Sequence, residues 1–220
     1  MKTSMFTLAL VAGTAVSTAA NAAVVLTHYG FDNSSMSATA GSGSAINAVG
    51  TASFFGGTTL GMPGSNSPPG SPGGQSGMNA VAIVGTAGGS MTFNLSTINY
   101  SNIVFSFASQ RTATGGATAT AQYSLDGSNF INLGTITPGA SSPGFAGASI
   151  ITSDYFFSFS SANLANKANV FFRINVAGAS SASGNQRFDN LVVQGDLVPA
   201  PGAFALLGLG GFVAGRRRRS

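Results

Sequence analysis

Hydrophobic residues alternate with small or polar ones through most of the middle of the chain. Ile103, Phe105 and Phe107 alternate with Val104, Ser106 and Ala108, and Phe172, Ile174 and Val176 alternate with Phe171, Arg173 and Asn175. A period of two in segments rich in β-branched and aromatic residues predicts strands with one face in a core. The same pattern predicts strands over Val24–Tyr29, Ala80–Val84, Ser90–Leu95, Thr118–Leu125, Phe130–Ile136, Ile150–Phe159 and Gln186–Val193. Asp126-Gly127 falls between two of them and predicts a hairpin turn. No part of the body shows a helical period beyond one short turn at 160–167. Short strands separated by Gly, Ser and Asn predict an all-β fold, a single β-sandwich with jelly-roll-like order.

Two uncharged apolar runs break the alternation, one near each terminus. At the front, Met1-Lys2 supplies a positive start, Phe6 to Val16 an apolar core, and Ala20-Asn21-Ala22 a small-X-small site. That order predicts a signal peptide over 1–22, cleaved after Ala22 to leave Ala23 as the new N-terminus. At the back, Gly202 to Gly215 is apolar and is followed by Arg216, Arg217, Arg218 and Arg219. A helix over 17–19 residues of this segment reaches about 26–29 Å, enough for a thin bilayer. The arginines resist translocation and keep the end of the segment on the cytoplasmic side. The segment 197–220 therefore reads as a transmembrane sorting helix that anchors an exported domain.

Between these ends, 23–196 reads as one β-sandwich domain. Gly56 to Gly77 interrupts it with a Gly/Pro/Ser-rich stretch, read as a long loop. The residues before that loop are too few and too polar for a core of their own, which favours an insertion over a linker.

The tail resembles the PEP-CTERM sorting signal of Gram-negative bacteria. Val198, Pro199, Ala200 and Pro201 stand at the position of its Pro-Glu-Pro motif, Ala205 to Gly210 at its Gly/Leu-rich segment, and the four arginines at its basic cluster. Ala200 departs from the family pattern, which usually has Glu there. The resemblance implies processing by an exosortase-like membrane protease after signal peptidase has acted, with transient residence in the inner membrane. It also implies association with extracellular polysaccharide or biofilm matrix. Two internal stretches look like parts of carbohydrate-binding-like exported jelly rolls: the hairpin Tyr123 to Phe130 (YSLDGSNF) and the closing strand Arg187 to Gly195 (RFDNLVVQG).

Composition changes once the end segments are set aside. The chain of 220 residues carries +4, but Lys2 and the tail arginines supply five of its nine cations. Residues 23–198 keep four (Arg111, Lys167, Arg173, Arg187) against five acids (Asp32, Asp126, Asp154, Asp189, Asp196), and four minus five is −1. The basicity belongs to the end segments, and a nucleic-acid partner loses its support. At 6% charged residues, the exterior is a neutral Ser/Thr/Asn/Gly surface suited to a hydrated polysaccharide matrix.

Candidate chemistry is sparse. There is no cysteine, so no thiol nucleophile or thiolate site exists. The single histidine, His28, lies in the first predicted strand, which excludes a multi-histidine zinc site. Phe31-Asp32-Asn33 and Phe188-Asp189-Asn190 can approach if the first and last strands pair, and Asp32 and Asp189 would then offer oxygens to a structural Ca²⁺. Asp and Asn at strand ends more often cap turns through their own backbone. The chain has no Trp to stack on a sugar, and its aromatics are 17 Phe and Tyr29, Tyr100, Tyr123 and Tyr155. No pair of carboxylates stands out as a glycosidase pair. No catalytic residue, cofactor or metal is assigned. The leading expectation is a non-enzymatic exported protein of the cell surface or biofilm matrix. The alternatives are a carbohydrate-binding module of that matrix, favoured by an exposed row of tyrosines, and a secreted glycan-acting hydrolase, favoured by two carboxylates facing one cleft.

Overall fold

The computed structural model describes residues 23–31, 33–56, 79–141 and 156–199. The expected signal peptide, most of the loop 56–77, and the sorting segment from Ala200 onward lie outside these residues.

Among the described residues thirteen strands form two facing sheets. They are β1 (Val24–Tyr29), β2 (Ala40–Gly41), β3 (Asn47–Val49), β4 (Thr51–Gly56), β5 (Asn79–Val84), β6 (Gly89–Leu95) and β7 (Tyr100–Thr112). After these come β8 (Ala119–Ser124), β9 (Ile131–Ile136), β10 (Ala140–Ser141), β11 (Phe156–Ser160), β12 (Val170–Val176) and β13 (Asn185–Leu197). The larger sheet runs β10-β7-β13-β1-β2, with β11 also on β7 and the β5–β4 pair on β13. The smaller runs β3-β6-β12-β8-β9. Every pairing is antiparallel except β10 with β7.

The expected all-β sandwich is present, and the alternation places its core. Phe105 and Phe107 of β7 face Phe93 of β6 and Phe172 of β12, with ring centroids of Phe105 and Phe172 5.0 Å apart and of Phe93 and Phe172 5.6 Å apart. Tyr29 is fully buried against Phe93, 4.8 Å between centroids, and its hydroxyl donates to the Ser44 carbonyl. Burial pushes this phenol up to about 12, partly offset by its contact with Thr27.

Residues ahead of the Gly/Pro/Ser-rich stretch contribute Leu26, Tyr29, Phe31 and Ile46 to this same core. Strands β2, β3, β4 and β10 were not predicted. Three of them span two or three residues, too short for a period to show, and β4 (TASFFG) has adjacent aromatics rather than alternation. The predicted strand over Ile150–Phe159 is seen from Phe156, the residues before it being outside the described set. Phe130 precedes β9 rather than opening it. The expected short turn of helix is a 3-10 turn over Ala162–Leu164, capped by Ser161, whose side chain accepts from the Asn163 N–H.

The Asp126-Gly127 turn joins β8 to β9 as expected. Gly127 has φ 77°, and a Cβ there would meet the Phe171 ring at 3.1 Å, so glycine is required. Asp126 accepts from the backbone N–H groups of Asn129 and Ser128 (2.8 Å each), from Asn129 Nδ2 (2.7 Å) and from Ser124 Oγ (2.7 Å). These bonds, the Asn129 N–H first, hold its carboxyl well below the usual carboxylate range.

Candidate functional site on the outer face of the larger sheet

Alternation along β7 and β13 sends every second side chain away from the core. In most sandwiches that outward set is solvated. Here it is buried. Ala80, Ala82, Ala108 and Val192 are all shielded from solvent, yet none belongs to the core between the sheets. They form the floor of a second buried surface on the outside of the larger sheet.

Strand register orders this surface into rows. Ser53, Ala82, Arg187 and Gln110 lie side by side across β4, β5, β13 and β7. Asp189, Ala108 and Phe156 form the next row across β13, β7 and β11. His28, Val192, Ser106 and Ser158 follow across β1, β13, β7 and β11, then Val25, Gln194, Val104 and Ser160. At a strand spacing of about 4.8 Å, a four-strand row spans about 14 Å. Beyond the last row lies a hollow of 340 Å³ lined by Ser101, Asn102, Val104, Ser160 and Ser161, among others.

Polar groups on this floor divide into two kinds. One kind is locked. His28 Nε2 lies 3.2 Å from Asn190 Oδ1, and its Nδ1 lies 2.9 Å from the Thr39 hydroxyl. Asn190 itself sits at φ 50° in a bulge, and its N–H donates to Asp189 Oδ1 at 2.7 Å. The bulge resets alternation along β13, so that Phe188 and Leu191, three apart, both enter the core. Arg187 lies over the Phe55 ring at 4.4 Å and donates from Nε to Asn185 Oδ1 at 3.1 Å. Burial lowers its guanidinium to about 10, which leaves it cationic at neutral pH.

The other kind is open. Ser106 Oγ, Gln110 Nε2 and Gln194 Oε1 have no hydrogen-bond partner in the protein, although these residues are only 1%, 2% and 6% exposed. A buried polar atom without a partner costs about 1–3 kcal/mol. Three on one face, among small apolar side chains, further polar ones and half-buried Phe55 and Phe156, make a surface able to hydrogen-bond a ligand.

The predicted site residues are distributed as follows. Asp189 and His28 both lie on this face, joined through Asn190, while Asp32 lies outside the described residues. Among the described residues no group of three or more His, Cys, Asp or Glu gathers to hold a metal ion. Asp126 is committed to its turn on the smaller sheet, and Asp196 accepts from Asn102 Nδ2 at 2.8 Å. Asp189 and Asp196 are seven residues apart on one strand, roughly 20 Å, far beyond a glycosidase pair. Tyr29 and Tyr123 are buried and Tyr100 is half-buried, so the described tyrosines form no exposed row. Of the sorting motif, Val198 and Pro199 are described and exposed, and the Val198 N–H donates to the Asn99 carbonyl at 2.7 Å. Ala20, Ala22, Ala200, Pro201 and the arginine cluster fall outside the described residues, and Ala23 opens them. Gln110, Gln194 and Ser106 were missed. Their signal is a polar residue recurring at outward positions of strands whose inward positions are large and apolar.

No protein-family model matches the chain, and no curated protein matches it. Solved structures with a likeness to it include TmCBM61 in complex with β-1,4-galactotriose, at 13% identity and TM-score 0.41 over 74% of this chain and 92% of that one. Domain 4 of an extracellular arabinanase from Geobacillus stearothermophilus, in complex with arabinotriose, is similar at 16% identity and TM-score 0.43, over 80% and 95%. The CBM22-1 xylan-binding domain from Paenibacillus barcinonensis is similar at 13% identity and TM-score 0.40, over 83% and 99%. At these identities and TM-scores the likenesses transfer no ligand to this chain.

Proposed function

We propose that this chain is a non-enzymatic, exported carbohydrate-binding domain of the cell surface or extracellular matrix. The observation that carries this reading is the set of unpartnered atoms Ser106 Oγ, Gln110 Nε2 and Gln194 Oε1 on the buried outer face of the larger sheet. Neutral donors and acceptors over small apolar side chains suit the hydroxyls and C–H faces of a neutral glycan. They offer neither a nucleophile nor an acid–base pair. Successive strands cross repeatedly between the sheets, which we read as jelly-roll-like order.

Export and sorting rest on the sequence motifs at 1–22 and 197–220. In this reading the signal peptide is removed after Ala22, and the Pro-Ala-Pro tail engages an exosortase-like protease. The test of the binding reading is titration of the mature protein, in detergent, with neutral matrix polysaccharides. Saturable binding supports it, and the absence of binding to every glycan overturns it. Deleting Gly202 to Ser220 tests sorting separately: unchanged location and unchanged mature mass would sink that part.

A further inference from the structure

Large aliphatic residues are sparse on the surface and unevenly placed. Seven are exposed among the described residues, and six of them, Val24, Ile98, Leu125, Ile131, Leu197 and Val198, lie at one end of the sandwich. Strand register fixes this placement. Val24 stands opposite Gly195, Leu197 opposite Tyr100, and Ile131 opposite Tyr123. Val198 is bonded to Asn99, the neighbour of Ile98. Leu125 follows Ser124, which pairs with Phe171 at the end where β12 begins and β6 gives way to β7. The seventh, Val49, pairs with Ser90 at the opposite end. Single exposed aliphatics need no explanation, but a cluster rimmed by polar residues marks an interaction surface.

The chain leaves the fold at this same end. After Leu197 only Val198 to Pro201 separate β13 from the uncharged run Gly202 to Gly215. Four residues reach at most about 14 Å. We infer that this end of the sandwich is a membrane-facing surface, its aliphatic side chains resting in the interface of the bilayer that holds the C-terminal run. The inference rests on the reading of that run as a membrane anchor. The partner is a neutral lipid surface. Among the described residues this end carries one cation, Lys167, and two carboxylates, Asp126 and Asp196, both engaged, by the turn and by Asn102. Those residues form no basic patch for anionic headgroups, so the contact is apolar and insensitive to salt. The strands then stand up from the membrane, and the outer face of the larger sheet lies to the side.

The chain has no Trp, so one introduced Trp is the sole reporter. Full-length protein carrying Ile98→Trp, Ile131→Trp, Val49→Trp or Phe212→Trp is reconstituted into phosphatidylcholine vesicles with brominated acyl chains. F212W, I98W and I131W are expected to be quenched and blue-shifted at both low and high salt, and V49W unquenched. Quenching of F212W with I98W and I131W unquenched overturns the inference and leaves the anchor standing. An unquenched F212W overturns both. Quenching of V49W as strong as that of I98W, or quenching at the I98W end only with anionic lipid, also overturns the inference.

Discussion

The two sheets share a core and an alternating pattern, yet their outer faces differ. On the smaller sheet the outward polar side chains bond one another. Arg173 lies 3.6 Å over the Phe130 ring and donates from Nε to Gln122 Oε1 at 2.7 Å, and Gln122 Nε2 donates to Asn132 Oδ1 at 2.7 Å. This row stays partly or fully exposed. On the larger sheet Ser106, Gln110 and Gln194 hold equivalent outward positions, are buried, and leave polar atoms without a protein partner. Side chains that satisfy one another on a wet surface describe a solvated wall. Unsatisfied ones on a dry surface describe a place kept for something else, because each costs stability that an apolar residue would not.

The core is the reference against which both faces are judged. Phe172→Ala removes a ring packed between Phe93 and Phe105 and should cost about 3–5 kcal/mol in chemical denaturation, weakening both faces alike. A smaller loss would mean that the two sheets are not held by this aromatic cluster.

The next effect separates the faces. Gln110→Leu with Gln194→Leu should lower glycan affinity by about tenfold per substitution, roughly 1.4 kcal/mol each. Stability should stay level or rise, since an apolar residue replaces a buried unsatisfied one. A drop in stability with unchanged binding would make these glutamines ordinary structural residues. On the other face, Arg173→Ala should cost about 1 kcal/mol of stability through its lost bond and ring contact, with binding untouched. Lost binding in that variant would move the site to the smaller sheet.

The smallest effect is a pH dependence confined to the smaller sheet. Asp126 has a depressed folded-state value, so its contribution is present above the unfolded carboxylate value of about 4 and is lost as pH falls below it. The hairpin of β8 and β9 should loosen in acid before the larger sheet does, as hydrogen exchange by region would show. Because Asp126 is exposed, Asp126→Asn should flatten this response while changing neutral stability little.

Much of this fold was legible in the sequence, because aromatic alternation at Ile103–Phe107 and Phe172–Val176 marks strands by physics that needs no neighbours. The Asp126-Gly127 turn was legible for the same reason: its bonds are local. The candidate site was only half legible. Asp189, Asn190 and His28 drew notice as chemical types, and pairing of the first and last strands does bring them together. Gln110 and Gln194 did not stand out, because their significance is burial on the outer face, which depends on how strands 80 residues apart in sequence align. The Asn190 bulge was invisible too, since a left-handed asparagine becomes a register shift only once the neighbouring strands are in place.

The central claim is that the outer face of the larger sheet receives a neutral glycan. Its most direct test is calorimetric titration of the mature protein and its Gln194→Leu variant with the matrix polysaccharide that binds best. Saturable binding by the parent and weakening of about tenfold in a variant of equal or greater stability is the predicted result. Equal affinity in the two proteins, with the variant folded, would contradict the account.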